Sequence, residues 1–323
     1  MRNDTTQRIA SAVAALLLAC AAQAQYPAKP IRLVVPFAPG GSSEIVARSV
    51  ANEMSKTLGQ TMIVENKPGG AGNVAMQEVA RAEPDGYTLI LGHIGTLAVN
   101  PFMFAKLPYD ANRDFMPVSL LAKVPSLFVV NAGVPAKDLR EFVQLAHAKP
   151  GTLSYGSAGN GSAGHLAMEY LKLAAKLDLL HVPYKGTGPQ LTDLIAGRTD
   201  ASSAGTPPLL PHIKSGKLRA IAVGTPQRIA ALPDVPTVAE QGYAGFETSQ
   251  WYGLMAPAKT PEGIVKRLTD EAAKATRSPA VQERFAQDSA IAVGSTAKEF
   301  ADFISVEQAR WKEVVHKAGV RAD

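Results

Sequence analysis

Residues 153–170, LSYGSAGNGSAGHLAMEY, decide the fold of this chain. A short apolar run ends at Tyr155, and a loop of glycine, serine and other small residues follows, which we call the central loop (residues 156–164). A helical pattern opens behind it, from His165 to Tyr170. Glycine lets a backbone approach a ligand closely, and the first N–H groups of a helix lack internal partners. The stretch therefore predicts a strand, a loop and a helix N-terminus that can bind an anion through main-chain N–H groups.

A second loop of the same kind lies nearer the start of the chain. Residues 31–37, IRLVVPF, have the apolar character of a buried strand, and residues 38–43, APGGSS, interrupt it. We call these six residues the first loop. From Glu44 onward apolar residues repeat every four positions, as in a helix, and Ser42 or Ser43 is placed to cap it. Either loop alone could be an ordinary turn between a strand and a helix, but two of them favour a ligand site.

The unit of strand, small-residue loop and helix recurs along the chain. Residues 87–91, YTLIL, predict a third strand, and the loop at its end, residues 92–96, contains His93. Strands that alternate with helices indicate an α/β protein with mostly parallel sheets flanked by helices. Ligands of such sheets bind beyond the carboxyl ends of the strands, where these loops lie. His93 is therefore a candidate ligand contact.

The length of 323 residues suits two domains. Strand-like runs near residues 121–130 and 218–223 bracket a segment that has its own helices and loops. We expect this segment, residues 124–224, to form a second lobe. Residues 25–123 and 225–323 would then form the first lobe, to which the helices predicted near the end of the chain return.

Residues 1–24 have the pattern of a secretory signal peptide. Arg2 and Arg8 give a basic start, residues 9–22 are apolar, and residues 22–24, AQA, fit the small-x-small cleavage rule. We expect Gln25 to be the mature N-terminus and the protein to be exported to the periplasm. Cys20, the only cysteine, also fits a lipoprotein cleavage site, so a lipid anchor there is the minor alternative.

Composition excludes some classes of function. The net charge of +5 is scattered along the chain, and no basic run with interleaved aromatic residues predicts nucleic-acid binding. The six histidines show no H-x-H or H-E-x-x-H spacing, so a metal site is not indicated. We expect no cofactor.

Two catalytic motifs match the central loop in part. Residues 159–164 fit the dinucleotide fingerprint G-x-G-x-x-G, but the next strand ends without the carboxylate that would hold a ribose. Residues 155–159, YGSAG, approach the nucleophile elbow G-x-S-x-G, with Tyr155 where the first glycine is required. An exported serine hydrolase is the alternative function, with His165, His181 or His212 as the base.

Some single side chains have a structural and a functional interpretation. His165, in the first turn of its helix, could face a ligand or be a half-buried structural histidine. Tyr184 and Lys185 could give a site an aromatic wall and one cation, or form a solvated loop. Trp251 is better explained as a core residue, although the polar stretch before it, residues 247–250, could reach a cleft.

Taken together, these motifs resemble one family, the solute receptors of tripartite tricarboxylate transporters, also called Bug proteins. The resemblance covers nearly the whole chain after residue 25, in the right order. The matching stretches are residues 26–48, 66–69, 84–88, 155–165, 182–186, 215–219, 251–254 and 256–258.

The resemblance implies a two-lobed type II periplasmic binding protein fold, with the ligand between two α/β lobes. It implies no catalysis. The ligand would be a small carboxylate, such as a di- or tricarboxylate, an acidic amino acid or an aromatic acid. The partners would be integral-membrane permease subunits, or a signalling system, and the receptor itself a monomer.

The resemblance also implies a site. The carboxylate would be held mainly by the first loop and the central loop, and the family usually has aspartate where this chain has Glu44. The residues carried over are Phe37, Gly40, Gly41, Ser42, Ser43, Ser157, Gly159, Asn160, Gly161, Ser162 and His165, with Gly95, Thr96, Ala204, Gly205 and Thr206 lining the remainder. His93 and Tyr184 join them as candidates from their own positions.

Overall fold

A computed structural model describes residues 26–319 and 321. The predicted signal peptide, Cys20 and Gln25 lie outside this range. Strands alternate with helices along most of the chain. The strands are β1 Ile31–Val35, β2 Met62–Asn66, β3 Thr88–His93, β4 Phe115–Asn131, β5 Ser154–Ser157, β6 Leu180–Pro183, β7 Ala201–Gly205, β8 Leu218–Val223, β9 Ser249–Pro257 and β10 Ile291–Ala292. The α-helices are α1 Ser42–Leu58, α2 Asn73–Ala80, α3 Asn100–Met103, α4 Leu139–Ala148, α5 Ala163–Ala175, α6 Thr187–Ile195, α7 Thr206–Lys214, α8 Glu262–Arg277, α9 Pro279–Gln287 and α10 Ala297–Ala318.

The sheet is mixed. Its main path runs in the order β2-β1-β3-β9-β4-β7-β5-β6. The strands that helices connect pair in parallel, β1 with β2 and β3, and β5 with β6 and β7. Around β4 and β9 the pairing is antiparallel. The alternation of strands and helices predicted the parallel units, but the position of β9 between β3 and β4 is not local in sequence.

One long strand runs through both halves of the molecule. β4 has 17 residues. Its first part, Phe115–Pro125, pairs with β9, and its last part, Ser126–Asn131, pairs with β7 and β8. The predicted strand near residues 121–130 therefore exists and is longer than expected.

Each half has its own apolar core. In the first, Val46, Val50 and Met54 of α1 are at most 1% exposed and share a cluster with Leu268 of α8. This confirms the four-residue period behind the first loop. In the second, Tyr155 of β5 packs with residues of α4 and α5. Burying one such side chain contributes about 1.5–3 kcal/mol, so each core holds the loops at its strand ends in place.

The helices near the end of the chain pack on the first half. Val265 and Leu268 of α8 lie in the cluster of β1 and α1, and Phe300 and Trp311 of α10 lie in a neighbouring cluster with residues of β3. Thr296 and Glu299 form a reciprocal capping box that starts α10. Within the described residues, no helix is both long and apolar enough to cross a membrane.

Candidate functional site

The central loop ends in a side-chain cap of the helix that follows it. Ser162 is the N-cap of α5, and its hydroxyl accepts a hydrogen bond from the backbone N–H of His165 at 3.3 Å. The loop before it turns through Gly159 and Gly161, both at positive φ, where glycine meets no steric cost. The N-terminus of α5 is therefore fixed by its own sequence.

The first loop differs from its prediction. The N-cap of α1 is Gly41, and neither Ser42 nor Ser43 makes a capping hydrogen bond. The helix begins at Ser42, one residue too early for the serine side chains to reach back to the free N–H groups of the first turn. The prediction of a serine cap is wrong, and both hydroxyls are left to face the space between the two loops.

Glu44 completes the first loop. Its carboxylate accepts a hydrogen bond from the backbone N–H of Gly40 at 2.7 Å and pairs with Arg48 one turn later. The side chain thus holds the backbone of the first loop. Its carboxylate is not among the groups that line the cavities described next.

The two loops enclose a small cavity, the inner cavity, of about 30 Å³. It contains six of the predicted site residues: Phe37, Ser42, Ser43, His93, Ser162 and Ala204. The others that line it are Ile94, Ala158, Ala163, Gly164, Thr187, Ser203, Gln250, Trp251 and Tyr252. None of these residues, all within the described chain, is Asp, Glu, Lys or Arg.

A larger cavity adjoins the inner one. It has a volume of about 270 Å³, and Phe37 and Ala158 line both cavities. Of the predicted residues, Gly159, Asn160 and Tyr184 lie on this outer cavity, together with Lys185. Tyr184 and Lys185, the candidate aromatic wall and cation, therefore lie on the outer cavity.

The remaining predicted residues line neither cavity. Gly95 packs on the carbonyl of Gly161, and Gly40 lies against Gly188, where a Cβ would be 3.2 Å from the Gly188 Cα. Gly205 leaves room for the hydroxyl of Ser42. The other members of this group are Gly41, Thr96, Ser157, Gly161, His165 and Thr206.

Three helices begin at the inner cavity. Ser42 and Ser43 open α1, Ala163 and Gly164 open α5, and Thr187 opens α6. The first N–H groups of each helix have no partners within the helix and carry its positive dipole end. The cavity therefore offers positive potential without a cationic side chain, which suits a small anion.

Buried polar atoms also converge there. Ser42 Oγ, Ser203 Oγ and His93 Nε2 are buried, and none has a hydrogen-bond partner among the described residues. Leaving such an atom unpaired costs about 1–3 kcal/mol, so sites of this kind are candidates for binding.

His93 is the last residue of β3, where its sequence prediction placed it in a loop. It is 2% exposed, and its ring lies 4.5 Å from that of Phe37, centre to centre. Its Nδ1 accepts a hydrogen bond from the backbone N–H of Gly95 at 2.6 Å. Burial lowers the pKa of His93 to about 3, so the ring is neutral near pH 7.

His165 holds the central loop through a hydrogen bond to its backbone. Its Nδ1 accepts a hydrogen bond from the backbone N–H of Gly161 at 3.2 Å, and its ring stacks on His181 at 4.3 Å. Burial, as the main cause, lowers the pKa of His165 to about 4 and that of His181 to about 3. Of the two interpretations of His165, the geometry favours the structural one.

Ser157, the candidate serine nucleophile, also helps to hold the central loop in place. Ser157 Oγ lies 2.7 Å from His181 Nε2, as a serine–histidine pair would require. Ser157 is fully buried, however, and lies on neither cavity. The nearby carboxylate of Glu169 is bound by Tyr155 and Lys172. The pair holds the loop, since Ser157 Oγ also accepts from the backbone N–H of Gly159 at 3.1 Å.

Sequence reasoning missed part of the inner cavity. Ser203 lies on β7 and Tyr252 on β9, strands whose position follows only from the sheet order. Gln250 belongs to the polar stretch suspected of reaching the cleft. Trp251 is 1% exposed and its indole N–H donates to Glu307, which fits the core interpretation, although the residue also lines the cavity.

Comparisons with known proteins point in one direction. The model of the family described as "Tripartite tricarboxylate transporter family receptor" matches residues 46–320. BugT of Bordetella pertussis is 36% identical over 92% of this chain and 91% of its own length. A UPF0065 protein of Pseudomonas sp. (strain P51) is 36% identical over 98% of this chain and 95% of its own length.

Solved structures agree. A Rhodopseudomonas palustris protein with bound malate, MatC, is 36% identical, with a TM-score of 0.87 over 90% of this chain and 100% of its own. An R. palustris protein with adipate is 34% identical, with a TM-score of 0.89 over 91% of this chain and 98% of its own. The periplasmic binding protein BugD is 36% identical, with a TM-score of 0.89 over 92% of this chain and 100% of its own. The expected two-lobed α/β fold of periplasmic binding proteins is thereby confirmed.

Proposed function

The chain belongs to the tripartite tricarboxylate transporter receptor family, and from this premise we propose that it binds a small carboxylate in the inner cavity. The observation that carries the proposal is the start of three helices, α1, α5 and α6, at one cavity that no cationic side chain of the described residues lines. Main-chain N–H groups would meet the charge of the carboxylate. Two similar proteins solved with malate and adipate support the class of ligand.

The hydroxyls of Ser42 and Ser203 and the Nε2 atom of His93 would supply direct hydrogen bonds to the ligand. All three atoms are buried at the cavity and unpaired within the described chain. A hydrogen bond to a charged group contributes about 1.5–3 kcal/mol, so three of them would make a large part of the affinity.

Binding would require the two loops to move apart and close again. The inner cavity, at about 30 Å³, has room for about two water molecules, less than a four-carbon acid needs. We propose that lobe 1 comprises residues 25–123 and 225–323 and lobe 2 residues 124–224. With these bounds the chain crosses between the lobes twice, within β4 and just after β8, and the backbone would bend at these two crossings.

The family is one of receptors, and a periplasmic location follows from membership. We propose further that residues 1–24 are a cleaved signal peptide, that the mature receptor is a monomer, and that it delivers its ligand to membrane permease subunits. Mass spectrometry of the mature protein should find Gln25 at the N-terminus. Diacylglycerol on Cys20 would show an anchored receptor instead.

A thermal-shift screen against a panel of carboxylates tests the proposed function. A ligand that binds only the folded protein stabilises it by about 2.7 kcal/mol at a hundredfold excess over Kd, enough to raise the melting temperature measurably. A chromogenic ester assay run beside it tests the hydrolase alternative. Turnover of the ester that is lost in Ser157→Ala, with no acid raising the melting temperature, would reverse the assignment.

A further inference from the structure

The imidazole of His93 is held in one tautomer. The backbone N–H of Gly95 donates to Nδ1 at 2.6 Å, so Nδ1 carries the lone pair. In the neutral ring the single proton must then sit on Nε2. This Nε2 atom is buried and has no partner among the described residues, and His93 lines the inner cavity. His93 therefore presents an N–H donor to the cavity and has no acceptor left to present.

The ring also stays neutral over the ordinary pH range. Phe37 covers one side, and Tyr252, whose ring centre is 6.5 Å away, is the titratable side chain that faces it. Burial is the cause that lowers the pKa of His93. Because Tyr252 is itself fully buried and its pKa is raised, neither ring carries charge at neutral pH.

The side chains described at the inner cavity carry no negative charge to balance a bound cation. Its lining, within the part of the chain that the structure describes, contains no carboxylate. The side-chain oxygen of Gln250 already accepts a hydrogen bond from the hydroxyl of Tyr252. The described residues that line the outer cavity include Lys185 and likewise no carboxylate.

We propose that the receptor selects carboxylates without an amino group, such as hydroxy, keto or unsubstituted dicarboxylates, and that His93 is a specificity-determining residue. This rests on the proposed function. A ligand oxygen can accept from the fixed Nε2–H. An ammonium in the same place would meet a donor and would lose its water without gaining a counter-charge, which is unfavourable in a buried site.

Matched pairs of ligands test the selection by calorimetric titration at pH 7. Malate and aspartate differ only in a hydroxyl against an ammonium, and 2-hydroxyglutarate and glutamate form a second pair. Of the two hydroxy acids, the one that binds more tightly is compared with the amino acid of its own pair. We expect its affinity to be at least about 100-fold higher than that of the amino acid. In His93→Asn, whose amide also carries an acceptor, this ratio should fall at least tenfold. His147→Asn, at an exposed position on α4, is the control and should keep the ratio.

Nitrogen-15 NMR of the imidazoles tests the tautomer independently of any ligand. The resonance lost in His93→Asn should show a protonated Nε2 and an unprotonated Nδ1 at pH 7. A proton on Nδ1, an amino acid bound as tightly as its hydroxy partner, or an unchanged ratio in His93→Asn would overturn the inference while leaving carboxylate binding intact. If no acid of either kind binds, the proposed function fails and this inference fails with it.

Discussion

Gly95 packs so closely on Gly161 that a Cβ atom on Gly95 would overlap the carbonyl oxygen of Gly161. A second contact of this kind joins Gly188 of α6 to the carbonyl of Pro39 in the first loop. The backbone N–H of Ala38 also donates to the carbonyl of Lys185 at 3.1 Å. Main-chain atoms are thus in direct contact on two sides of the inner cavity. Only glycine, which has no Cβ, permits such contacts at positions 95 and 188.

In Gly188→Ala the added methyl group should keep the first loop and α6 apart. Since Gly188 has no positive φ, alanine keeps the backbone conformation and only its methyl group obstructs closure. We expect affinity for the best acid to fall at least tenfold and the radius of gyration of the ligand-bound protein, measured by small-angle X-ray scattering, to rise. Gly263→Ala, where a Cβ would meet no atom within 4 Å, is the control. Parent-like affinity in Gly188→Ala would show that closure does not use this contact.

Alanine substitutions of the serines at the site should affect stability and ligand affinity differently. Ser162→Ala removes a helix cap and should lower the free energy of unfolding by about 1 kcal/mol. Ser42→Ala and Ser203→Ala remove buried hydroxyls that have no partner in the described chain, so stability should stay level or rise while affinity for the acid falls. Urea unfolding and calorimetry measure the two quantities. A loss of stability in Ser42→Ala equal to that in Ser162→Ala would contradict the roles assigned here.

Stability should depend on pH through the buried histidines. The pKa of His93 is lowered to about 3 and that of His165 to about 4, against an ordinary value of 6.5. Below pH 6.5 these histidines therefore bind protons in the unfolded chain but stay unprotonated in the native protein. Stability should be level above pH 6.5 and fall as the pH drops from 6.5 towards 4, by up to about 1.4 kcal/mol per pH unit for each such histidine.

Urea unfolding at pH 7.5, 6.5, 5.5 and 4.5 gives the slope. For His165, burial is the largest cause of the shift, Glu169 opposes it and Lys172 adds to it. His165→Gln should flatten the slope, and His147→Gln, at an exposed position, should leave it unchanged. A slope that is equal in the parent and in His165→Gln would contradict the neutral buried histidine.

Glu44 should stabilise the conformation of the first loop but should not determine which ligand is bound. Its carboxylate holds the N–H of Gly40 and the side chain of Arg48. Glu44→Gln removes the charge but keeps the length, and we expect a loss of stability of about 0.5–1 kcal/mol. Because Glu44 lines neither cavity, the ranking of acids by affinity should not change. A changed ranking in a thermal-shift panel would place Glu44 closer to the ligand.

Local sequence predicted the parts of the site that form locally. The strand, loop and helix around Ser162 follow from residue order, because glycine turns and caps act over a few residues. Phe37, Ser43 and Ser162 line the inner cavity, and their contact with a ligand stays a prediction. The serine cap of α1 was wrong because a shift of one residue in a helix start changes which side chain can reach the free N–H groups.

The rest depends on long-range pairing. Ser203, Gln250 and Tyr252 enter the cavity because β7 and β9 pair with β4, and no local pattern encodes that order. The same pairing makes the sheet antiparallel at its centre. The role of Ser157 was likewise open in sequence, since its partner His181 lies on a neighbouring strand.

Calorimetric titration of the best acid against the parent, Ser42→Glu and Ser162→Glu tests the central claim most directly. A glutamate at a helix N-terminus is compatible with the dipole, so both variants should fold, and Ser162→Glu should lose only about the 1 kcal/mol of its helix cap. Its carboxylate would fill or repel the anion site, and we expect affinity to fall at least about 100-fold in each. Ser305→Glu, on the exposed side of α10, should bind like the parent. If Ser42→Glu and Ser162→Glu both bind the acid as tightly as the parent, the ligand does not lie between the first loop and the central loop.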